Sequence, residues 1–199
     1  MRAIVIPKEA ALKSIKIQKE ETEPTAGENE IVVNVKACGV SYNDLTSKSV
    51  DNGIKYPAVI GCEAAGVVEA IADGVTDFKV GDNVLVFTDS RAWAEKVSVP
   101  VKTVYKLPDG LSFHDAVGLG MTSVVAHCLL FDVGRLQSGQ TVLIHSVGGS
   151  VGQALVQLIK TIKDVTVIAT ASKSKHEKLN GQVPHLFDHS QDLVAEVKK

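Results

Sequence analysis

Apolar and polar positions change their period about halfway along the chain. In the first half the segments Arg2–Ile6, Ile15–Gln18 and Glu30–Cys38 are rich in β-branched residues and partly alternate. That pattern predicts half-buried strands. Glu21–Asn29 is a polar Pro/Gly loop between two of them. Ala65–Ile71 continues the strand pattern, and Asp73-Gly74 marks a turn. Val80-Gly81-Asp82 leads into a strand over Asn83–Phe87, and Ala94–Val99 adds another, ended by Pro100. Many short strands separated by Gly/Pro turns predict a partly open barrel.

The second half reads differently. Leu107-Pro108-Asp109-Gly110 is a turn, and Phe113 to Phe131 follows as helix, in two segments around Gly118 and Gly120. Thr141–His145 is a compact apolar strand. Val151, Ala154, Leu155, Leu158, Ile159 and Ile162 fall on one helical face. Val165–Ala171 predicts a second strand, a Lys-rich polar helix follows, His185–Asp188 is a third strand, and Leu193–Lys199 begins another helix. Strands alternating with helices predict right-handed βαβ units on a parallel sheet. The expected division is a β-rich domain over 1–118 and an α/β domain over 119–199. A doubly wound dinucleotide fold needs two βαβαβ halves, and one is present. The strand at Thr141 is therefore expected as an open edge, and the chain is expected to continue past Lys199.

Composition narrows the function classes. Hydrophobic residues make up 45% of the 199 positions and the net charge is −2, so nothing favours nucleic acid as a partner. The start, MRAIVIPKEA, goes directly into alternating residues and does not read as a signal peptide. Val117 to Phe131 is interrupted by Thr122, Ser123 and His127, and reads as too short and too polar to span a bilayer. The three cysteines, Cys38, Cys62 and Cys128, are far apart in sequence. They are expected as reduced, mostly buried thiols.

Candidate chemistry concentrates in Thr141–Ala154, where an apolar strand, the turn Ser146-Val147-Gly148-Gly149-Ser150-Val151-Gly152 and an amphipathic helix follow one another. This is the context of a pyrophosphate-binding turn. Gly149 leaves room for a phosphate where a Cβ would stand, Gly152 permits close helix–strand packing, and the helix start offers N–H groups. Val147 replaces the first glycine of the usual G-x-G-x-x-G. At the end of the next strand an NAD enzyme carries an acid for the ribose hydroxyls. Here Thr170-Ala171-Ser172-Lys173-Ser174-Lys175 holds none before Glu177. Hydroxyl and ammonium groups at Ser172, Lys173 and Lys175 suit a 2′-phosphate, which favours NADPH.

Several segments carry a family resemblance. Lys36-Ala-Cys-Gly-Val-Ser-Tyr-Asn-Asp-Leu45, Gly61-Cys-Glu-Ala-Ala-Gly-Val-Val68, Val80-Gly-Asp-Asn-Val84 and Trp93-Ala-Glu95 stand in the order seen in medium-chain dehydrogenases/reductases. Leu129–Asp132, Leu136–Gly139, Val142–His145 and Ala169–Glu177 resemble the quinone oxidoreductase branch, and within it the vesicle amine transport group. The resemblance implies a GroES-like barrel followed by a Rossmann domain, whose first half lies in this chain. Zinc-dependent members of the superfamily place a Cys where Ser41 stands and a His where Cys62 stands, beside an acid matching Glu63. Ser41 is a poor ligand, so no metal is expected.

The activity implied is zinc-independent hydride transfer from NADPH to a quinone or enone-type carbonyl compound. Tyr42 is the candidate donor to the developing oxyanion, with Ser41 beside it. Relatives often carry Asn at Ser41 and Thr at Val125, and both groups are lost here. Those losses keep a second class open: a catalytically weak factor associated with vesicle or mitochondrial membranes, or transferring lipid, on the same fold. The family further implies a homodimer of the full-length protein. Its implied location is the cytoplasm, with peripheral attachment to vesicles or the mitochondrial outer membrane in the second class.

Overall fold

The computed structural model describes residues 1–7, 15–42, 44 and 56–197. They form two compact units, Met1–Gly120 and Met121–Lys199. The first contains β1 (Ala3–Ile6), β2 (Lys16–Gln18), β3 (Glu30–Cys38), β4 (Ala58–Val59), β5 (Glu63–Ile71), β6 (Asn83–Phe87), β7 (Lys96–Pro100) and β8 (Val104–Lys106). An antiparallel sheet runs in the order β7-β3-β5-β6-β8, and a smaller one in the order β2-β1-β4. Alternation explains the core: Ile31, Val33, Val68, Val84, Val86, Val97 and Val99 are all buried on one cluster.

Gly66 explains how β3 and β5 come so close. A Cβ there would collide with the carbonyl of Asn34, beside the bulge between Val35 and Ala37. Only a glycine permits that approach of two backbones. Two short strands, β4 and β8, were not readable from periodicity, because two or three residues do not establish an alternation. Pro100 does not stop β7. It is the last residue of the strand, opposite Glu30, and β7 is the edge of its sheet, where a missing N–H is tolerated.

The second unit is a parallel sheet in the order β11-β10-β9, built from β9 (Thr141–Ile144), β10 (Thr166–Ala171) and β11 (His185–Asp188). Ile144, Val147, Val156, Ile159, Ala169, Ala171 and Leu179 form its core. Helix α1 (Phe113–His127) has one break, at Gly120, not at Gly118. A π-helical turn over Cys128–Val133 continues it. The helical path Phe113–Val133 therefore has 21 residues and is long and apolar enough, by length and composition, to cross a membrane. This corrects the expectation of a run too short and too polar: that run was read over Val117–Phe131, whereas the helix starts at Phe113 and continues to Val133. Helix α2 (Ser150–Ile159) ends before Ile162. A 3-10 turn (Lys173–Lys175), α3 (His176–Leu179) and α4 (Leu193–Val197) complete the described chain.

One further expectation, of mostly buried thiols, is corrected. Cys128 is exposed, and Cys38 and Cys62 are half-buried; all three are free thiols. His127 is on an exposed helical face, its ring 4.7 Å from that of Phe131 and 3.8 Å from Asp132.

Candidate functional site

In the second unit the Gly-rich turn is held from behind by Thr170. This side chain is 2% exposed. Its hydroxyl accepts from Ser146 N at 3.3 Å and lies 3.2 Å from His145 Nδ1. Its carbonyl accepts from Val147 N at 2.9 Å. Ser146 is thereby fixed in the left-handed region, at φ 57, which costs a non-glycine residue conformational energy. Val147 turns its side chain wholly into the core.

Gly149 is the N-cap of α2 and brings no capping side chain. Gln153 instead donates to the carbonyls of Gly149, by its backbone, and of Val147, by its side chain. A Cβ on Gly149 would meet one atom, Ser146 O at 3.3 Å, so its free side faces away from the protein. A Cβ on Gly152 would meet three backbone atoms of Val147 at 2.5–2.8 Å. A groove of about 530 Å³ opens beside the turn, lined by His145, Ser146, Gly149, Ser150 and Val151 among others.

Lys175 reaches this turn across 27 residues. Its ammonium donates to Gly148 O at 3.2 Å, and its stem packs where a Gly148 side chain would stand. The 3-10 turn places it there: Lys175 N donates to Ser172 O at 2.8 Å. Lys173 and Lys175 are exposed and Ser172 is half-buried. The structure thus joins the glycine turn to one lysine of the cationic stretch. The turn geometry and the groove fit a dinucleotide pyrophosphate, with a cation at hand for further phosphate charge.

In the first unit, Ser41 and Asp44 form a reciprocal cap. Ser41 N and Oγ both donate to Asp44 Oδ2, at 2.7 and 2.9 Å, and Asp44 N donates back to Ser41 Oγ at 3.4 Å. This is the capping-box arrangement, with Asp in the reaching position. The hydroxyl proton of Ser41 is committed to a carboxylate that is 3% exposed. Tyr42, next in the chain, is 79% exposed. Val125 is partly exposed in the second unit.

Cys62 Sγ lies 3.9 Å from Asp89 O. Burial, the Asp44 carboxylate and then Asp89 and Glu63 push its pKa up to about 11. Cys38 is raised by the same kind of burial, by Asp44 and by Glu63. These are proton-bearing thiols among carboxylates, and neither is a thiolate poised for a metal. Among the described residues no group of three or more His, Cys, Asp or Glu side chains is arranged to hold a metal ion. The residues present do not fit a catalytic zinc.

Sequence reasoning missed three residues that shape these places: Thr170, Asp44 and Trp93. Trp93 Nε1 donates to Gly39 O at 2.8 Å, and its ring fills the space beside Gly61, which has φ 102. No local signal could reveal contacts spanning 24 and 54 residues; the Ser41-x-x-Asp44 spacing could have revealed the cap.

Residues 27–109 match the alcohol dehydrogenase GroES-like domain. The chain is 44% identical over 202 residues to the human protein named synaptic vesicle membrane protein VAT-1 homolog-like, covering 100% of this chain and 48% of that one. The crystal structure of human VAT-1 homolog-like protein superposes with a TM-score of 0.91 at 43% identity, covering 94% of this chain and 61% of that one. Rat quinone oxidoreductase is 32% identical over 197 residues, which is 96% of this chain and 59% of that protein. A mycobacterial protein solved in complex with NADPH has a TM-score of 0.87 at 30% identity, covering 96% and 60%. The chain belongs to the medium-chain dehydrogenase/reductase superfamily: a GroES-like domain followed by part of a Rossmann-like domain. Within it the similarity is to VAT-1 homologues and quinone oxidoreductases, and the chain spans about half the length of the VAT-1 relatives.

Proposed function

We propose that the protein is a zinc-independent, NADPH-dependent oxidoreductase that transfers hydride to a quinone or enone-type carbonyl compound. The observation that carries this reading is the Gly-rich turn at the start of α2, with the Lys175 ammonium lodged against it. When bound, NADPH would supply the hydride, and with it both electrons. The turn from Ser146 to Gly152 holds the pyrophosphate through N–H groups and the helix start. Ser172, Lys173 and Lys175 take the 2′-phosphate; the ammonium of Lys175 exchanges the Gly148 carbonyl for the more strongly attracting anion. Tyr42 donates to the substrate oxygen as negative charge develops on it. Ser41, its own proton held by Asp44, fixes the chain just before Tyr42 and does not itself donate.

The test is titration of NADPH and NADH into the full chain and its Lys175→Glu variant, at low and high salt. NADPH weakens by about tenfold or more, an effect that shrinks with salt because the site is exposed, and NADH changes little. Equal loss of both cofactors overturns the assignment of Lys175, and so does loss of neither.

A second reading is supported by one observation. Relatives of about 40% identity are named synaptic vesicle membrane proteins. In that reading the fold serves a membrane-associated or lipid-transfer role with weak catalysis. NADPH oxidation measured over a panel of quinones separates the two, since only the first reading requires turnover.

A further inference from the structure

Glu63 stands outside the chemistry proposed above, and its carboxylate is enclosed between two glycines of the first unit. The side chain is 7% exposed. One carboxylate oxygen lies where a Cβ of Gly39 would be, and the other where a Cβ of Gly120 would be. A side chain at either position would have to displace the carboxylate. The two are far apart in sequence and differ in role. Gly39 follows β3 and opens the segment that carries Ser41, Tyr42 and Asp44. Gly120 is the single break in α1, at φ −17 and ψ −126.

Gly39 is pinned on three sides. Its N–H donates to the backbone carbonyl of Glu63 at 3.1 Å. Its carbonyl accepts from Trp93 Nε1 at 2.8 Å. Its bare Cα face rests on the Glu63 carboxylate. From Gly39 only Val40 and the Ser41–Asp44 cap separate this anchor from Tyr42. A buried carboxylate is costly to hold in a folded protein, and here it fills the gap between a loop and a broken helix.

We propose that Glu63 is a positioning residue, a clasp that ties the Tyr42-bearing segment to the break in α1 and so fixes where the phenol stands. This rests on the assignment of Tyr42 as the donor to substrate. The clasp itself is a statement about the fold and is tested without turnover.

The experiment is amide hydrogen exchange on the full chain, comparing Glu63→Ala, Glu63→Gln and Gly120→Ala with the parent. Steady-state quinone reduction on the same proteins runs beside it. Glu63→Ala should speed exchange over residues 39–42 by about tenfold or more while β3 and β7 keep their protection. Glu63→Gln keeps the shape and should lie between. Gly120→Ala keeps the glutamate but pushes its carboxylate aside, and should reproduce the same local pattern. In kinetics kcat falls while KM for NADPH holds, because the nucleotide turn is built by other residues. If Glu63→Ala does not fold, Glu63→Gln and Gly120→Ala decide the question. Unchanged exchange over 39–42, or a uniform rise across both sheets, overturns the clasp. Absence of turnover in the parent protein overturns the proposed activity and leaves the exchange result standing.

Discussion

Gly149 and Gly152 lie three residues apart in the same turn and should fail in different ways when each becomes alanine. At Gly152 the new Cβ meets Val147 Cα, O and C at 2.5, 2.7 and 2.8 Å. All three are backbone atoms, so no rotamer change relieves them, and the start of α2 must move off the turn. Overpacking of this kind costs about 1–3 kcal/mol. The better helix propensity of alanine offsets about 0.5–1 kcal/mol of it. The net loss of about 1–2 kcal/mol corresponds to a Tm lower by roughly 2–8 °C.

At Gly149 the Cβ meets only Ser146 O, at 3.3 Å. The backbone there, φ −88 and ψ 170, is extended and open to alanine. Stability falls by about 0.5 kcal/mol, the preference for glycine over alanine at an N-cap. The methyl group, however, projects to the side from which a pyrophosphate approaches. NADPH affinity falls by about tenfold to a hundredfold, which is ~1.4–2.8 kcal/mol. Thermal denaturation and fluorescence titration of NADPH on both variants are the assays. If Gly149→Ala binds NADPH as the parent does, the turn does not hold the pyrophosphate. If Gly152→Ala melts at the parental temperature, the close packing described for α2 is wrong.

Three further outcomes are expected. Cys62, with its pKa pushed from 9.0 to about 11, should react with iodoacetamide at pH 8 roughly a hundredfold more slowly than an ordinary thiol. Its rate should climb until about pH 11, and at pH 8 it should be higher in Asp44→Asn, which removes one cause of the raised pKa; a plateau near pH 9 in the parent would contradict the raised value. Gly66→Ala should lower the stability of the first unit by about 1–3 kcal/mol in denaturant titration, since its Cβ meets a backbone carbonyl with no room to yield. Elemental analysis of purified full-length protein should find well under one zinc per chain, and a stoichiometric zinc removed by chelator together with activity would refute the reading of Ser41 and Cys62.

The Gly-rich turn was legible because strand, glycine turn and amphipathic helix are consecutive, so each supplies context for the next. Glu30–Cys38, Asn83–Phe87 and His185–Asp188 were readable to the residue for a related reason: alternation or a compact apolar run is bounded by clear turn residues. What escaped was non-local or very short. Thr170 looked like one more residue of an apolar strand, although its hydroxyl is what orders Ser146. Lys175 and Lys173 were indistinguishable as surface lysines until the 3-10 turn aimed Lys175 at Gly148. Ser41 drew attention as a departure from relatives, and its partner Asp44 was overlooked beside it. Glu63 was legible as an acid in a family segment. The two glycines that enclose it come from different elements, and no periodicity joins them.

The left-handed Ser146 has a thermodynamic consequence for the ligand. Thr170 and the core seating of Val147 hold the turn in its unusual shape through contacts within the protein. The conformational penalty is thus met during folding, by contacts the ligand does not make. Under the proposed function, a dinucleotide arriving at this turn would meet amides already oriented and would need to order little chain. Its binding heat capacity should then follow the surface it covers, with no added component from folding of the loop.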